Sequence, residues 1–556
     1  MLVIGRCALG VSVQDGVPDA SVSVREGFGA ALAGPLDNAD QLRLELGVEP
    51  GCTPSDLVAE AFRAWGDQAP NRMRGVFGAV VTNGRDLWCF QDHFALGHVY
   101  YRDEPAAFYA ATEPKQVVAG AGIPKEPDLG VVEALFYSDL QGDIERELTC
   151  AVKGVRRLPK ATVMSLSGGV LQGRRYWQPE DLFESGRYSR GELQERFDEL
   201  MRQAVARTLT GKDVVSLSGG VDSPAIAAFA STLRTIGALS TVFPDYPSVD
   251  ETRYVELIAE RLDIPLHTYV ATSRPLDDID HWARVLDSPA PVIPPAQMAE
   301  HHRQARKLGY RTMLSGEHAE AVFDSHRYLI AHLLWRGRLP ALFRYVREQR
   351  SLGRRSKGIA RELASALVPR PLRAALWRRR STREEAAPSW IDVRRVTERH
   401  LRWVGATRHR WRDGQLAASL GTGIGSEASE ICEAVSGIQV RYPWADVDLY
   451  EFFLSLPAGV KFPYPSRGGK ALVRELLRNK VPEEILDRKD KTVFNDYYMS
   501  GVEYGTLRRL LIEPEHRIAG VRYDVLAGRL QEEHLTLAEV HWALELAKTH
   551  AFLSQW

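Results

Sequence analysis

An apolar, β-branched pair, Val214-Val215, runs into Ser216-Leu217-Ser218-Gly219-Gly220-Val221-Asp222-Ser223 and then into a run of small residues, Pro224 to Ala230. No other stretch constrains the fold as much. The β-run predicts a strand, the Gly-rich octet a turn, and the small-residue pattern a helix. Such a unit aims backbone N–H groups and the positive end of a helix dipole at one point, and adjacent glycines let an anion approach the backbone. Phosphate is the natural occupant. Ser216, Ser218 and Ser223 add hydroxyls, while Asp222 sets a carboxylate beside the phosphates, an arrangement that makes sense if Mg²⁺ bridges the two. The chain carries no G-x-x-x-x-G-K-[ST], so this is a different device from a Walker loop.

A chain of 556 residues is too long for one core, and two or three domains are expected. Its net charge of −1 argues against a molecule built for nucleic acid. MLVIGRCALG lacks a basic region followed by a sustained apolar run, and no window reaches the ~18 apolar residues of a spanning helix, so a cytoplasmic location is expected. Cys7, Cys52, Cys89, Cys150 and Cys432 are scattered and odd in number. They read as buried or reduced thiols, and the histidines show no metal-ligand spacing.

Residues 1 to about 180 read as short strands separated by turns, among them ASVSVRE, GVFGAVVTN, DLWCFQD, VYYRD, AFYAAT and ATVMSLSGG. One amphipathic helix, PSDLVAEAFRAWG, interrupts them, and the pattern predicts a sandwich of sheets. A polar, Gly- and Ser-bearing stretch at 178–192 is a fair boundary. Beyond it strands and helices alternate: a helix at about 193–209, strands at 240–243 and 265–271, a strand and loop at 310–317, helices at 250–262 and 296–307. That alternation predicts a parallel, doubly wound sheet with its ligands at the carboxyl ends of the strands. Residues 330–415 are helical in pattern and basic, which fits a solvated helix face or a docking surface for an acidic peptide. Gly421 to Gly425 follow a helical pattern, so they are not a dinucleotide fingerprint.

The octet at 216–223 resembles the pyrophosphate loop of the ATP pyrophosphatases, and its surroundings resemble the asparagine-synthetase branch of that superfamily. The order RGVFGAVV, DHFALGHVYY, ATEPKQV and GVRRLPKATVMSLSGG…RYW is similar to the family's glutaminase domain. The resemblance therefore implies an α+β N-terminal glutaminase-like sandwich of the N-terminal-nucleophile type over 1–180. An α/β doubly wound synthetase domain with a mostly helical C-terminal part would fill 190–556. The family's nucleophile is a Cys directly after the initiator Met, whose α-amine is the base, and here that position is Leu2. The first domain is expected to be a degenerate scaffold.

Leu314-Ser315-Gly316-Glu317-His318-Ala319-Glu320 occupies the place of the family's LSGEGxDE. By the resemblance, Ser315, Gly316 and Val242 contact ATP, Glu317 is the carboxylate beside the reacting acyl group, and Glu320 shares Mg²⁺ with Asp222. VRYPWAD (440–446) resembles VRxPFLD, and the stretch 468–494 resembles the family's lysine-bearing segment. Lys470 and Arg474, at i and i+4 of a helix, would offer two cations to phosphate. Anchoring on Phe494 selects Lys491 as the catalytic lysine, with Lys489 the alternative. The resemblance implies an ATP-dependent, AMP-forming carbon–nitrogen ligase that uses ATP and Mg²⁺. Its character is similar to the lasso-peptide macrolactam synthetases, with the β-lactam synthetases next and an ammonia-dependent asparagine synthetase or a non-catalytic scaffold as alternatives. The implied partners are a precursor peptide, a leader peptidase and a leader-recognition protein.

Overall fold

The computed structural model describes residues 2–4, 7–10, 20–137, 150–290, 294–319, 329–351, 359–360, 368, 387–392, 412, 415–416, 424–461, 470–488, 492 and 494–556. Most of the basic stretch at 330–415 thus lies outside the described residues.

A hairpin of β1 (Leu2–Ile4) and β2 (Cys7–Leu9) precedes β3 (Ala20–Arg25) and β4 (Phe28–Ala33). Glu26 and Gly27 join the latter two at φ of 45° and 85°, the left-handed pair that a two-residue hairpin needs. Helix α1 (Pro54–Trp65) follows, capped reciprocally by Thr53 and Asp56 and started by Pro54. Next come β5 (Gly78–Thr82), β6 (Leu87–Gln91), β7 (Tyr100–Asp103), β8 (Phe108–Ala111), β9 (Arg156–Arg157), β10 (Thr162–Ser167) and β11 (Val170–Arg175). They complete an antiparallel sheet of order β11-β10-β6-β5-β4-β3 and a smaller one of order β8-β7-β9. Helix α1 lies on β3 and β4, and its Phe62 meets Trp88 and Phe90 at 4.8 and 6.1 Å between ring centroids. The sequence pattern does not announce β4 or β11. FGAALA has no β-branched residue, and the polar VLQGRR is an exposed edge strand.

In the second unit, helix α2 (Arg190–Thr208) leads into β12 (Asp213–Ser216), α3 (Asp222–Leu233), β13 (Gly237–Val242), α4 (Thr252–Leu262) and β14 (Leu266–Val270). Then follow α5 (Pro295–Lys307), β15 (Thr312–Leu314), α6 (Ile424–Ser436), β16 (Gln439–Arg441), α7 (Val447–Ser455) and α8 (Ala471–Leu476). All five strands are parallel, in the order β14-β13-β12-β15-β16. The strand order reverses at β12, so the carboxyl ends of β12 and β15 flank the crevice where such sheets bind ligands. Helix α3 reaches the sheet closely because Ala225, Ala227, Ala228 and Ala230 are all buried. Strand β16, which overlaps the start of VRYPWAD, is too short for its periodicity to be read. Helices Tyr504–Leu511, Tyr523–Gln531 and Leu537–Leu553 build a second core that takes in Phe136 and Tyr137. Among the described residues no helix is long and apolar enough to cross a membrane.

The two units share packing. Trp177 sets its ring against Phe94 and Tyr450, at 5.5 and 5.6 Å, and donates its indole N–H to Glu451 at 2.8 Å. Arg157, from β9, reaches Tyr100 OH at 3.0 Å and the Glu427 carboxylate of α6 at 2.8 Å, and both charged side chains are buried. Breaking such a pair strands a buried charge, so Arg157→Met is expected to cost ~3–5 kcal/mol, read as a lowered midpoint of chemical unfolding. Pairing it with Glu427→Leu should recover most of the loss, and additivity of the two would refute the coupling.

Candidate active site at the strand ends

The chain leaves β12 at Ser216 and closes into α3 through the octet. Ser223 Oγ accepts the Ser218 N–H at 2.9 Å and lies 3.1 Å from Ser218 Oγ, which takes the Gly220 N–H at 3.4 Å. These two hydroxyls therefore shape the turn from within. Ser216 Oγ instead pairs with His301 Nε2 at 2.9 Å, and His301 Nδ1 faces Tyr269 OH at 3.1 Å. Burial drives the His301 imidazole down to about 4, so it is neutral and the network beneath the loop carries no charge.

Asp222, the first residue of α3, is the point on which three remote segments converge. Its carboxylate pairs with the Lys470 ammonium, and Lys470 is buried. Its carbonyl accepts the Trp444 indole N–H at 3.0 Å. Gly316, just past β15, faces it so closely that a Cβ there would lie 2.8 Å from Ser223 N and 3.2 Å from Asp222 Cβ. Ser315, buried, donates its N–H to the Arg441 carbonyl at 2.9 Å, and its Oγ accepts the Glu317 N–H at 3.2 Å. Glu317 is exposed, yet the surrounding wall desolvates its carboxyl and raises its pKa. His318 takes φ of 68° and packs edge-on to Tyr442 at 4.9 Å. Val242 ends β13, and the next residue, Phe243, meets Phe494 and Tyr497 at 5.5 and 4.9 Å.

The structure thus brings Ser216 to Ser223, Ser315, Gly316, Glu317 and Lys470 to one crevice. Glu320, Lys489 and Lys491 lie outside the described residues. Arg474 differs from expectation. Lys470 sits at φ 61° as the cap of α8, and Arg474 turns away to donate to the carbonyls of Leu486 at 2.5 Å and Ile485 at 3.3 Å. It holds carbonyls of a neighbouring turn, because the i,i+4 spacing aligns two side chains only where both residues are helical and Lys470 is not.

Three participants escaped the sequence reading. Glu251, at the cap of α4, accepts the Gly219 N–H at 2.9 Å, and Arg488 donates to the Gly219 carbonyl at 2.9 Å and to Glu251 at 2.7 Å. Trp444 stands where the resembling motif has Phe, which has no N–H to offer Asp222. No spacing rule marks Glu251; Arg488 stood beside the lysines and served only to align them.

As a fit test for the groups that the loop suggests, the donor set is a hard carboxylate at Asp222, a buried ammonium and a turn rich in backbone N–H groups. Asp222 suits Mg²⁺, which takes one or two carboxylates and fills its shell with phosphate and water. Among the described residues no group of three metal-ligating side chains occurs.

The asparagine synthase family model matches residues 196–550, and a glutamine amidotransferase domain model matches residues 20–119. No curated protein matches the chain. Among solved structures, a glutamine phosphoribosylpyrophosphate amidotransferase from B. subtilis complexed with ADP and GMP is 12% identical, with a TM-score of 0.20, over 54% of this chain and 57% of that one. An allosteric regulatory enzyme of purine biosynthesis is 11% identical, with a TM-score of 0.21, over 47% and 64%. The chain thus spans less than two thirds of either neighbour's length.

Gly316→Ala tests the close approach directly. The added methyl must push the loop after β15 away from α3, at a cost of ~1–3 kcal/mol. Nucleotide binding measured by calorimetry should weaken by about tenfold or more, and unaltered affinity would show that the crevice is not the nucleotide site.

Proposed function

The chain belongs to the asparagine synthase family, and from that premise we propose that it closes a macrolactam within a ribosomally made precursor peptide. Family membership carries ATP-dependent carbon–nitrogen ligation. The finer reading is that an Asp or Glu side chain of the peptide is activated and its N-terminal amine attacks. The carboxylate oxygen bonds to the α-phosphorus of ATP, the bond to the bridging oxygen breaks, and pyrophosphate leaves into the loop at Ser218 to Ser223. The amine nitrogen then bonds to the acyl carbon, the acyl–phosphate bond breaks, and AMP departs with its electron pair. Glu317, its pKa raised by desolvation, is the group suited to take the amine proton. Asp222, and by the family resemblance Glu320, would hold Mg²⁺, which would offset triphosphate charge. Lys470 then becomes a phosphate partner, and Lys491 stabilises the oxyanion of the tetrahedral intermediate.

The observation that carries adenylation is the convergence of Lys470, Trp444 and Gly316 on Asp222. The internal amine is supported by the cysteines. Burial pushes the thiols of Cys89, Cys150 and Cys432 up, opposite to what a nucleophile needs. Cys7 lies inside a hairpin, paired with Ile4, so its nitrogen is an amide and cannot serve as base. A tethered amine also gains a high effective molarity. The implied partners are the precursor peptide, its leader peptidase and a leader-recognition protein.

Asparagine synthesis is a second reading, favoured by the amidotransferase match over residues 20–119. A β-lactam synthetase-like cyclase of a small β-amino acid is a third. Offering the purified chain aspartate with ammonium, a β-amino acid, or a candidate precursor peptide separates the three. The macrolactam reading expects pyrophosphate release and loss of one water from the peptide alone.

Two variants divide the reaction. Asp222→Ala should abolish ATP–pyrophosphate exchange, since the triphosphate loses its metal-binding carboxylate; exchange at the wild-type rate would overturn that role. Lys491→Ala should keep substrate-dependent exchange yet slow ring formation by about 10²–10³, because one oxyanion partner is worth roughly 3–4 kcal/mol. Normal ring formation in that variant, with failure in Lys489→Ala, would move the role to Lys489.

A further inference from the structure

Three neighbouring strands turn side chains to one face of the sheet just beneath the phosphate loop. Thr241 of β13 stands opposite Tyr269 of β14, and Ser216, the last residue of β12, stands opposite Leu239, two residues before Thr241. Residues two apart on a strand share a face, so Ser216, Thr241 and Tyr269 all point the same way. His301, from α5, joins all three. Its Nε2 lies 2.9 Å from Ser216 Oγ, and its Nδ1 lies 3.1 Å from Tyr269 OH and 3.4 Å from Thr241 Oγ1. Thr241 Oγ1 donates to Tyr269 OH at 2.8 Å.

Counting protons gives this network a direction. Thr241 spends its proton on the Tyr269 oxygen, so the phenol's own proton goes to His301 Nδ1. Desolvation lowers the His301 pKa to about 4 and raises that of Tyr269, so the imidazole is neutral and the phenol keeps its proton. A neutral imidazole that accepts at Nδ1 carries its hydrogen on Nε2, and that hydrogen goes to Ser216 Oγ. Ser216 is therefore the acceptor of this bond, and its hydroxyl proton is left to donate elsewhere. In the other tautomer Ser216 would donate to Nε2 and offer a ligand nothing but lone pairs. Ser218 and Ser223, by contrast, are turned toward each other within the loop.

We propose that His301 is a positioning residue that, through this one tautomer, presets the Ser216 hydroxyl as a hydrogen-bond donor to a phosphate oxygen of the nucleotide in the crevice. Ser216 is half-buried at the carboxyl end of β12, where the chain enters the loop. A donor whose direction is fixed before binding needs no reorganisation when the charge arrives, and an ionised phosphate oxygen only accepts. The inference rests on the adenylating reading for the identity of the ligand.

The test is calorimetry of Mg²⁺-ATP binding to the full chain. Ser216→Ala and His301→Leu should each weaken binding by about tenfold, the scale of one hydrogen bond to a charged group. The double variant should be no more than about twofold weaker than either single one, because both remove the same bond. His301→Gln offers an amide that accepts from Tyr269 and donates to Ser216, so it should bind clearly more tightly than Ser216→Ala. Nitrogen NMR of histidine-labelled protein, with the His301 signals identified by their loss in His301→Gln, should show the hydrogen on Nε2. These last two measurements stand by themselves if His301→Leu folds poorly. Full affinity in a folded His301→Leu, additive losses in the double variant, no gain from His301→Gln, or a hydrogen on Nδ1 overturns the relay and leaves adenylation standing. A wild type that does not bind Mg²⁺-ATP overturns the adenylating reading and this inference together.

Discussion

The approach of Gly316 to the first turn of α3 is the constraint from which the rest of the site follows. The order of the parallel strands puts β12 and β15 side by side, so the chain leaving β15 must pass the turn that leaves β12. With any side chain at 316 the two would collide at Ser223 N. At van der Waals distance, the dipole end of α3 and the backbone N–H groups of the octet share one crevice with Ser315 and Glu317. A carboxylate at the mouth of such a crevice is costly unless paired. Lys470 pairs Asp222, and Trp444 fixes the carbonyl of the same residue, so the acid is held from both its side chain and its backbone.

The sequence revealed those parts of this arrangement that are local. A β-branched run, two glycines and a run of alanines specify strand, turn and helix within some twenty residues, and the structure has β12, the turn and α3 there. Helix α1 was equally legible, because Thr53, Pro54 and Asp56 are adjacent in the chain. What could not be read depends on sequence-distant contacts. Nothing in DETRYVEL distinguishes Glu251 from an ordinary helix-start acid until Arg488 and Gly219 are beside it. Ser216 and Ser218 looked alike as hydroxyl donors. One meets a half-buried, neutral His301 and the other meets Ser223, a difference that the packing of α5 decides.

Arg474 shows how spacing misleads at an element's end. Two cations four residues apart share a face only if the helix has begun, and Lys470 is still in the left-handed region at φ 61°. That conformation turns its side chain toward Asp222, while Arg474, one turn into α8, satisfies carbonyls at the end of the 483–486 helix. The second role still matters to the site. Those carbonyls precede Arg488 by two and three residues, so Arg474 steadies the segment from which Arg488 reaches the loop.

The same logic shows how the first unit bears on the crevice of the second. Asp37, in the first unit, pairs with the Arg441 guanidinium, and the backbone carbonyl of Arg441 holds the Ser315 N–H at 2.9 Å. Both side chains of that ion pair are almost wholly buried, at 7% and 10% exposure. Arg157 grips α6 through Glu427, and α6 leads directly into β16, the strand that carries Arg441. A cavity of about 410 Å³ lies between the units along α6, so this boundary is held by discrete polar ties as well as by continuous apolar packing. Removing the first unit would take from Arg441 and Glu427 the opposite charges they pair with, Asp37 and Arg157, close to the strand whose Arg441 carbonyl holds Ser315. A buried charge without its partner is among the costlier defects a protein can carry. The first unit is therefore a structural support of the crevice at the ends of β12 and β15.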